Sequence, residues 1–475
     1  MLRPYQTSAR HQINTLLNGS RHPLYVAPTG TGKTKTAVSI IKDRITLNRR
    51  IYVICGQDII FDQWCKELSK NNVEYGLINS KGIVGRNRKV YVCMAMSLKN
   101  IMYLLPATIC PDEIIIDEAH HSGNDTHESI FDYFDKALRL GLTATPYRGD
   151  NKPLGKYYTD IISTYTMQEG IDNGYLCKPL IIVPEQYHLN IPLQNGDYDV
   201  QEQAEQLGTT RIIGDVIKSY GEIFAGLPVL VACSTYKHAE QMTESFRAAG
   251  WIFEHIHSKL SEGDRKRMIR EIRSGKLNGL CTVGIGIEGM DLPGLYGLIW
   301  MRRTMSLTVY LQFIGRVLRP LAGKEYGVII DGVGNSFIHG RPELERQWSL
   351  NSDYAPDNGE KAPTMKICPV CGVMNASENI NCHICGSALN QSNGKNDRKL
   401  PIMIDGKLIV LDGDGSEWLE NRIAQQKIEN EIQAERENKI ELAEISRLEK
   451  RQILNKNLTG KKIDSIFCET LKNYM

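Results

Sequence analysis

Short apolar runs alternate with longer amphipathic segments along most of the chain, and this alternation indicates α/β structure. The longer segments include KTKTAVSIIKDRI, whose apolar positions follow helical spacing. Continuous apolar strands separated by helices are typical of a parallel sheet that is covered on both faces. The strands predicted in the first part of the chain are LYVA (24–27), IYVIC (51–55), VYVCM (90–94), EIIID (113–117) and LRLGLTA (138–144).

The same alternation begins again after a less regular stretch near residues 150–225. The strands predicted here are LPVLVAC (227–233), WIFEHIH (251–257), NGLCTV (278–283), GLIWM (297–301) and GVIID (327–331). A chain of 475 residues exceeds what one core usually holds. Two successive doubly wound α/β domains therefore explain the pattern most economically, and we place them at residues 1–185 and 186–348.

The composition changes after residue 348. A polar Pro/Gly linker leads into a cysteine cluster at 364–390, and a second linker follows it. The last unit, 400–475, is predicted to contain a small hairpin that turns on Asp405-Gly406 and then a long helix. The helix is expected from residue 417 to about 457, a charged stretch of mixed sign without Gly or Pro. A solvated or docked helix fits this stretch better than a coiled coil, because its apolar residues hold no strict heptad.

Charge and apolar content narrow the possible partners. Lys and Arg number 57 against 55 Asp and Glu, so any nucleic-acid site must be a local feature. No stretch approaches the ~18 apolar residues of a membrane span, and the start has no apolar signal region, so we expect a cytoplasmic protein. Eight scattered cysteines fit small core residues in a reducing compartment.

The segment APTGTGKT (27–34) stands between a predicted strand and a predicted helix, which indicates a phosphate-binding loop. Gly30 and Gly32 let backbone N–H groups turn toward a phosphate chain. Lys33 can then reach the β- and γ-phosphates, and the Thr34 hydroxyl can hold Mg²⁺. Ala27 stands where the strict pattern has Gly. A purely structural glycine turn is the alternative, but Gly-Lys-Thr at this place favours binding of a nucleoside triphosphate.

The segment DEAHH (117–121) directly follows the apolar run Ile114–Ile116. In a phosphate-loop fold, Mg²⁺ needs a carboxylate at the end of a neighbouring buried strand, and Asp117 supplies one. Glu118 is then placed to orient and deprotonate the attacking water. A hydrolase metal site is the alternative, although its ligands would have no recognisable spacing. Those ligands would be Asp117, His120, His121, Asp125 and His127.

Five motifs in order resemble motifs I, II, III, V and VI of superfamily 2 helicases of DEAH type. They are APTGTGKT, DEAH, GLTATP (141–146), GIEGMDLP (286–293) and QFIGRVLRP (312–320). The opening LRPYQ, TATPYR and IIDGVGNSFIHG (329–340) are most similar to the RadD, UvsW and XPB branch of DNA helicases and translocases. RadD-like members also carry a cysteine cluster after the motor. The resemblance covers residues 1 to about 335 and implies two RecA-like domains that use ATP and Mg²⁺.

The resemblance also implies roles for individual residues. The nucleotide would be held by Arg3, Gln6, Thr29, Gly30, Thr31, Gly32, Lys33, Thr34, His120, Gly289 and Asp291. The catalytic set would be Lys33, Asp117, Glu118, Gln312, Arg316 and Arg319. The nucleic-acid backbone would be held by Gly56, Gln57, Ser97, Ser234 and Thr282.

For several of these residues the resemblance implies a specific contact. Gln6 would read the adenine edge, because a side-chain amide both donates and accepts. Arg316 and Arg319 would reach the γ-phosphate from the second domain. His120 would hydrogen-bond Gln312 across the cleft. The resemblance further implies that Thr143 and Thr145 couple hydrolysis to the grip on nucleic acid.

The cysteine cluster has the spacing C-x₂-C-x₁₀-C-x₂-C, formed by Cys368, Cys371, Cys382 and Cys385. Two Cys-x-x-Cys-Gly knuckles supply four thiolates, which suit a closed tetrahedral Zn²⁺ site in a small zinc ribbon. Rubredoxin-like iron and disulfides remain alternatives. His383 lies between two ligands and is interpreted as a bystander, and the metal is expected to be structural.

Together these features predict an ATP- and Mg²⁺-dependent DNA helicase or translocase with a zinc ribbon and a helical tail. Its expected substrates are branched or single-stranded-gap DNA in repair, recombination or phage replication. A single-strand-binding or recombination protein is a candidate partner. The alternatives are an RNA helicase, an interaction protein with a vestigial motor, and the motor subunit of a restriction or defence assembly.

Overall fold

The computed structural model describes a large part of the chain. The described residues are 2–147, 153–183, 191–194, 197–257, 259–283, 292, 295–351, 365–367, 374–376, 380–381, 388, 409–410, 415 and 417–432. The chain divides into two compact units, residues 1–416 and 417–475. Within residues 417–475, residues 417–432 are helical. No helix among the described residues is long and apolar enough to cross a membrane.

The first part of the larger unit forms an eight-stranded sheet. Its strands are β1 (Pro23–Val26), β2 (Ile51–Cys55), β3 (Gly76–Asn79), β4 (Gly82–Val84), β5 (Val90–Met94), β6 (Glu113–Asp117), β7 (Leu138–Thr143) and β8 (Asp160–Ile162). Their order is β4-β3-β5-β2-β6-β7-β1-β8. The pairing of β3 with β4 is antiparallel, and the other pairs are parallel.

Helices pack on both faces of this first sheet. They are α1 (Pro4–Asn18), α2 (Lys33–Thr46), α3 (Asp58–Lys70), α4 (Ala95–Ile101), α5 (Asp125–Tyr133) and α6 (Met167–Asp172). Short 3₁₀ turns cover Met102–Leu104, Ala107–Ile109, Ala119–His121 and Leu154–Lys156. Alternate side chains of β2 show why both faces are covered. Val53 belongs to one buried apolar cluster and Tyr52 and Ile54 to another, so the strand has no polar face.

The remaining strands form a second large sheet and two small pairs. They are β9 (Lys178–Val183), β10 (Leu193–Gln194), β11 (Asp197–Tyr198), β12 (Val229–Cys233), β13 (Phe253–Ile256), β14 (Gly279–Val283), β15 (Gly297–Met301), β16 (Tyr326–Asp331), β17 (Met365–Ile367), β18 (Met374–Ala376) and β19 (Ile409–Val410). The second sheet has the order β13-β14-β12-β15-β16-β9-β19. Its pairs are parallel except that of β9 with β19.

The helices that accompany the second sheet complete the architecture. They are α7 (Val200–Leu207), α8 (Thr210–Ile223), α9 (Tyr236–Ala248), α10 (Glu262–Arg273), α11 (Leu307–Val317) and α12 (Asn335–His339). The two largely parallel sheets confirm the predicted α/β class with two RecA-like domains. Strands predicted from continuous apolar runs, such as IYVIC and GLIWM, have the same bounds in the structure.

The predicted domain boundary at 185/186 differs from the arrangement of the strands. The strand β9 precedes that boundary, yet it pairs in parallel with β16 of the second sheet. The apolar run KPLIIV fits a buried strand in either sheet, so its pattern cannot assign it. The second sheet therefore includes residues from 178 onward.

The described residues test the predicted tail only in part. All four cysteines of the cluster lie outside them, although β17 pairs antiparallel with β18 and Asn381 pairs with Ala388. Residues 401–408 of the predicted hairpin also lie outside, and its second strand, β19, pairs with β9. The predicted helix is helical over 417–432, and residues 433–457 lie outside the described part.

A buried ion pair joins the helix of the phosphate loop to the strand that ends in Asp117. The Arg44 Nε of α2 donates to both carboxylate oxygens of Glu113, at 2.8 and 3.0 Å. Arg44 is 2% exposed and Glu113 is 4% exposed. Removing one partner of such a pair typically costs about 3–5 kcal/mol, because the other charge stays buried. The pair fixes α2 against the start of β6.

Candidate active site

The loop between β1 and α2 has the shape that phosphate binding requires. Gly30 and Gly32 have φ values of +86° and +87°, a left-handed region that favours glycine. A Cβ on Gly32 would lie 2.7 Å from Nε2 of Gln6. The helix α2 begins immediately afterwards at Lys33, so its N-terminal N–H groups face the loop. The predicted phosphate loop is formed in the structure.

The larger unit has two halves, the first built on the eight-stranded sheet and the second built on the sheet that contains β9 and β12–β16. Hydrogen bonds within the first half hold the phosphate loop in place. The Ala27 N–H donates to the Thr143 carbonyl at 3.1 Å. The Tyr5 hydroxyl donates to the Thr31 carbonyl at 2.5 Å, and Thr31 Oγ1 donates to the Pro28 carbonyl at 2.7 Å. Lys33 Nζ donates to the Ala27 carbonyl at 3.0 Å, so the lysine folds back across the loop.

Gln6 contacts the loop itself in this structure. Its Oε1 accepts the Arg3 N–H at 2.9 Å, and its Nε2 donates to the carbonyls of Thr31 and Gly32 at 3.1 and 3.3 Å. The side chain is buried. The Arg3 guanidinium lies 3.7 Å over the Tyr175 ring. Both ends of the Gln6 amide are thus bonded to protein, and reading of an adenine edge stays a prediction.

Asp117 stands at the carboxyl end of β6 and takes a hydrogen bond on each oxygen. Its Oδ2 accepts from Trp64 Nε1 at 2.8 Å, and its Oδ1 accepts the Glu118 N–H at 3.0 Å. Burial raises the pKa of Asp117, while the Trp64 bond and the Lys33 ammonium act in the opposite direction. Trp64 was not found from the sequence, because its place in the amphipathic helix α3 equally predicts an ordinary core residue.

Glu118 and His120 form the next part of the site. Glu118 has a φ of +52°, which is uncommon for a residue with a side chain and is concentrated at functional sites. His120 Nδ1 lies 3.5 Å from Glu118 Oε2 and 3.3 Å from Thr143 Oγ1. Burial lowers the pKa of His120 well below its usual value, so the imidazole beside Glu118 is neutral near pH 7.

The predicted hydrogen bond between His120 and Gln312 is not formed. The imidazole, on the 3₁₀ turn after β6, lies beside Thr143 of the neighbouring strand β7. Among the described residues, the Gln312 amide nitrogen is buried and has no hydrogen-bond partner. A buried donor without a partner is costly, so the Gln312 position suits an acceptor supplied by a ligand.

A row of threonines continues from His120 into the second half of the unit. Thr143 Oγ1 donates to the Thr145 carbonyl at 2.7 Å and accepts the Thr145 N–H at 3.1 Å. Thr145 Oγ1 then donates to Thr308 Oγ1 at 2.9 Å. Thr308 lies in the first turn of α11, the helix that leads to Arg316. The sequence pointed to Thr143 and Thr145 but not to Thr308.

The carboxyl end of α11 contacts the phosphate loop directly. A Cβ added to Gly315 would lie 2.5 Å from the Thr29 Cβ, and one on Gly30 would lie 3.4 Å from Cγ of Arg319. Gly315 is therefore required for this approach. The structure thus brings the predicted motif VI residues against the predicted phosphate loop.

Charged groups from both halves of the unit surround Lys33. Burial lowers the pKa of the Lys33 ammonium. Glu118 and Asp117 oppose this shift, whereas Arg319 and Arg316 add to it. The predicted catalytic cations and carboxylates therefore lie within electrostatic reach of one another, as a site for a charged ligand requires.

Lys324 fixes the backbone just beyond α11 and was also missed from the sequence. Its Nζ donates to the carbonyls of Leu295 at 2.8 Å and Arg319 at 3.1 Å, and also to that of Val317. Burial lowers the pKa of Lys324 to about 8, and Cys177 acts in the opposite direction. In the sequence Lys324 looks like any surface lysine, so nothing there predicts that it bonds to these carbonyls.

The donors of the cleft fit a magnesium nucleoside triphosphate. A phosphate chain is suited by three cationic side chains, the N-terminus of α2 and the Gln312 amide nitrogen, which has no partner among the described residues. Asp117 and the Thr34 hydroxyl are oxygen ligands of the kind that Mg²⁺ prefers. Gly289 and Asp291, the other predicted nucleotide contacts, lie outside the described residues.

The alternative hydrolase metal site receives no support from the cluster after β6. His127 Nδ1 lies 3.0 Å from the His121 carbonyl, so it bonds to the backbone. Within the part of the chain that the structure describes, no group of three or more His, Cys, Asp or Glu side chains could hold a metal ion.

The predicted nucleic-acid contacts all lie near the carboxyl ends of parallel strands. Gly56 and Gln57 follow β2, and Ser97 lies in the first turn of α4 after β5. Ser234 follows β12, and Thr282 lies near the end of β14. Their surroundings differ, as exposed Gly56 has open space around it whereas Ser234 and Thr282 are buried.

The hydroxyls on the second sheet are bonded differently. Ser234 Oγ donates to the Met301 carbonyl at 3.2 Å and to Gln203 Oε1 at 3.3 Å. The Thr282 hydroxyl has no hydrogen-bond partner among the described residues. The role of these residues toward nucleic acid stays a prediction.

Comparison with known protein families gives two matches, and each contains residues of the site. Residues 1–148 match the family described as "Type III restriction enzyme, res subunit". Residues 215–320 match the family described as "Helicase conserved C-terminal domain". The first match contains the phosphate loop and DEAH, and the second contains α11 with Arg316 and Arg319.

Individual proteins that resemble this chain share about a quarter of their aligned residues with it. A "51.5 kDa protein" of Lactococcus phage (isolate 7-9) is 26% identical over 372 residues, covering 76% of this chain and 76% of that protein. A protein of Sulfolobus islandicus filamentous virus (isolate Iceland/Hveragerdi), provisionally named helicase 22, is 25% identical over 377 residues, covering 72% of this chain and 65% of that protein.

Among solved structures, an ATP-dependent Type ISP restriction-modification enzyme, LlaBIII, bound to DNA is similar with 16% identity and a TM-score of 0.49. The match covers 70% of this chain but only 27% of that enzyme. The family matches and the assembled nucleotide site together place the chain among the superfamily 2 helicases, ATP-driven motors that act on nucleic acid.

Proposed function

We propose that this motor is a DNA helicase or translocase that acts on branched or gapped DNA in repair, recombination or phage replication. The observation that carries the proposal is the direct contact between α11 and the phosphate loop. Because Arg316 and Arg319 belong to the second half of the unit, hydrolysis requires that half to close against the bound nucleotide. The choice of DNA over RNA rests on the similarity of LRPYQ and the trailing motifs to the RadD, UvsW and XPB branch.

The side chains of the cleft divide the work of hydrolysis. Lys33 and the N-terminus of α2 hold the phosphates, and Glu118 orients the attacking water and accepts its proton. Mg²⁺, when bound at Asp117 and Thr34, neutralises charge on the phosphate oxygens. Arg316 and Arg319 stabilise the charge that develops on the transferred phosphoryl group. The imidazole of His120, neutral near pH 7, lies beside Glu118 and adds no positive charge next to the proposed base.

Movement along DNA follows from two grips that open and close with the cleft. Gly56, Gln57 and Ser97 belong to the first half, and Ser234 and Thr282 belong to the second. If each set holds backbone phosphates, cleft closure changes the distance between the grips and moves the motor one step. The threonine row from His120 to Thr308 supports this proposal, since it joins the hydrolytic site to the second half.

We further propose that the four cysteines hold a structural Zn²⁺ and that a helical tail follows this ribbon. The paired backbone around the cluster supports the proposal. Residues 368–373, which contain the first two cysteines, connect the antiparallel strands β17 and β18. Residues 382–387, which contain the other two, lie between the paired Asn381 and Ala388. Each Cys-x-x-Cys pair is thus bracketed by paired backbone, and two such cysteine pairs are the ligand set of a four-cysteine site.

The zinc proposal is tested by replacing Cys368 and Cys371 with Ser. Elemental analysis should show loss of one zinc per chain, because two remaining thiolates cannot complete a tetrahedral site. Basal ATPase activity should be unchanged, because the cleft residues belong to other elements. Metal content equal to that of the wild type would contradict the proposal, and iron in place of zinc would correct it.

A comparison of nucleic-acid cofactors tests the main proposal. The ATPase rate is measured without nucleic acid and with single-stranded DNA, forked DNA or RNA of equal length. We expect the largest stimulation with DNA, and an apparent affinity that falls linearly with the logarithm of salt concentration. Stimulation by RNA alone would make the protein an RNA helicase.

The family match of residues 1–148 favours a second candidate, the motor subunit of a restriction or defence assembly. Such a motor would move along duplex DNA without separating its strands. Displacement of a third strand from a DNA triplex, with no release of a strand from a fork, would favour this candidate. Release of the fork strand would favour the helicase.

A further inference from the structure

Trp64 reaches the metal-binding carboxylate of the cleft from a neighbouring helix. Its indole Nε1 donates to Oδ2 of Asp117 at 2.8 Å, and the ring is fully buried. An indole has one polar group, and a buried indole N–H usually finds an acceptor. In this protein the acceptor is a carboxylate of the nucleotide site.

Packing holds the ring in place independently of that bond. Ile60, Phe61 and Leu68 are the other buried residues of α3, and they share its inner face with Trp64. Ile60, Trp64 and Leu68 are four residues apart, so they lie in one row along the helix. The indole position is thus set by apolar contacts, and its N–H can orient a partner.

The two donors to Asp117 fix the plane of its carboxylate. Trp64 occupies Oδ2 and the Glu118 N–H occupies Oδ1, and the donors come from different elements. Each carboxylate oxygen can accept a second bond, so both remain able to receive a metal ion or its water. The arrangement therefore orients Asp117 without blocking it.

We propose that Trp64 is a positioning residue for Mg²⁺, because its indole N–H holds Asp117 in the orientation that receives the metal. The proposal rests on the assignment of Asp117 to Mg²⁺ in the proposed function. Partners that orient a ligating carboxylate commonly change metal affinity about 10–100-fold when they are removed. The alternative is that Asp117 merely satisfies a buried indole.

Trp64→Phe separates these two possibilities, because it keeps an aromatic ring and removes the N–H. We expect the Mg²⁺ concentration for half-maximal ATPase activity to rise about tenfold, the low end of the usual range. The kcat at saturating Mg²⁺ should stay within about twofold of the wild type, since Glu118 and the arginines are untouched. Binding of a fluorescent ADP should weaken in Mg²⁺ but not in EDTA.

Trp300→Phe is the matched control. Trp300 is also fully buried, but its Nε1 has no hydrogen-bond partner among the described residues. The substitution therefore removes a similar part of the ring from a core without removing a bond to a carboxylate. Its Mg²⁺ dependence should equal that of the wild type.

Two results would overturn the proposal. The first is an unchanged Mg²⁺ dependence of both turnover and ADP binding in Trp64→Phe. The second is an equal loss of ADP binding in Mg²⁺ and in EDTA, which would show general damage to the cleft. If Trp64→Phe does not fold, benzothienylalanine at position 64 alone keeps the ring shape and removes the N–H. A wild type whose ATPase needs no Mg²⁺ would instead refute the assignment of Asp117.

Discussion

The two halves of the cleft build their parts of the site in different ways. The first half holds its phosphate loop, Asp117 and Glu118 through hydrogen bonds among its own residues, such as Tyr5 to Thr31. The second half contributes Gln312, Arg316 and Arg319 from one helix and the turn after it. The difference suggests separate duties. We infer that the first half binds nucleotide and that the second half makes hydrolysis depend on closure.

The strongest test of this division is Glu118→Gln. The amide cannot accept a proton from water, so kcat should fall about 10²–10⁴-fold, the usual worth of general base catalysis. Nucleotide affinity should change little, because the phosphate loop is untouched. Lys33→Ala is the contrast, since it should lose both turnover and phosphate binding. Near wild-type ATPase activity in Glu118→Gln would show that another group is the base.

Arg319→Ala should affect hydrolysis without affecting the first half. An arginine that stabilises the transferred phosphoryl group is worth about 10³-fold or more in kcat. Binding of ADP, measured by fluorescence titration, should stay within about threefold of the wild type, because Lys33 and α2 remain. A loss of ADP affinity as large as the loss of kcat would mean that the halves share ground-state binding.

Thr308→Val should weaken communication between the halves. The substitution keeps the shape of the side chain and removes two hydrogen bonds, the one from Thr145 at 2.9 Å and a longer one to the Tyr147 carbonyl at 3.3 Å. The bond from Thr145 is worth about 1 kcal/mol. We expect basal ATPase activity to persist and stimulation by nucleic acid to fall about fivefold, as that energy implies. Thr243→Val is the matched control, because Thr243 is buried and its hydroxyl bonds to the Ala239 carbonyl of α9, with no other partner in the described part of the chain. Equal stimulation in both variants would remove Thr308 from the pathway.

The sequence predicted the first half of the site better than the second for a physical reason. Gly30, Lys33 and Asp117 lie at fixed offsets from strand ends, so the local pattern places them in space. Gln312, Arg316 and Arg319 are likewise local to α11, and their contact with the loop followed only from the resemblance. Trp64, Thr308 and Lys324 act through partners that are 53, 163 and at most 29 residues away. Such partners are set by tertiary packing, which no local pattern records.

The predicted His120–Gln312 bond is wrong because it also depends on a long-range contact, which a local sequence pattern does not specify. It joined two residues from different halves, whereas the structure pairs His120 with Thr143 on the adjacent strand. The boundary at 185/186 was misplaced for a related reason. The strand β9 looks like any other buried strand, and only its partner β16 assigns it to the second sheet.

The smallest expected effect concerns the support of α11 by Lys324. The ordinary pKa of lysine is 10.5, and burial lowers the pKa of Lys324 to about 8. Between pH 8 and 10.5 the unfolded chain thus binds more protons at this residue than the folded chain. Its contribution to stability should therefore increase as pH rises through that window. Activity should move in the opposite direction, because the neutral amine has two N–H donors for three carbonyls, one of them that of Arg319.

Lys324→Met should remove both trends, with a loss in kcat of about two- to fivefold at pH 7, the equivalent of one ordinary hydrogen bond. The measurements are kcat and thermal unfolding at pH 7 to 10 for both proteins. Lys276→Met, at a solvent-exposed lysine that follows α10, is the control for loss of a charge in the same half.

A double mutant with Arg319→Ala tests whether Lys324 acts through Arg319. If Lys324 acts by holding the Arg319 backbone, adding Lys324→Met to Arg319→Ala should cost almost nothing further in kcat, because the side chain it positions is gone. Additive losses would instead make Lys324 a general support of the second sheet.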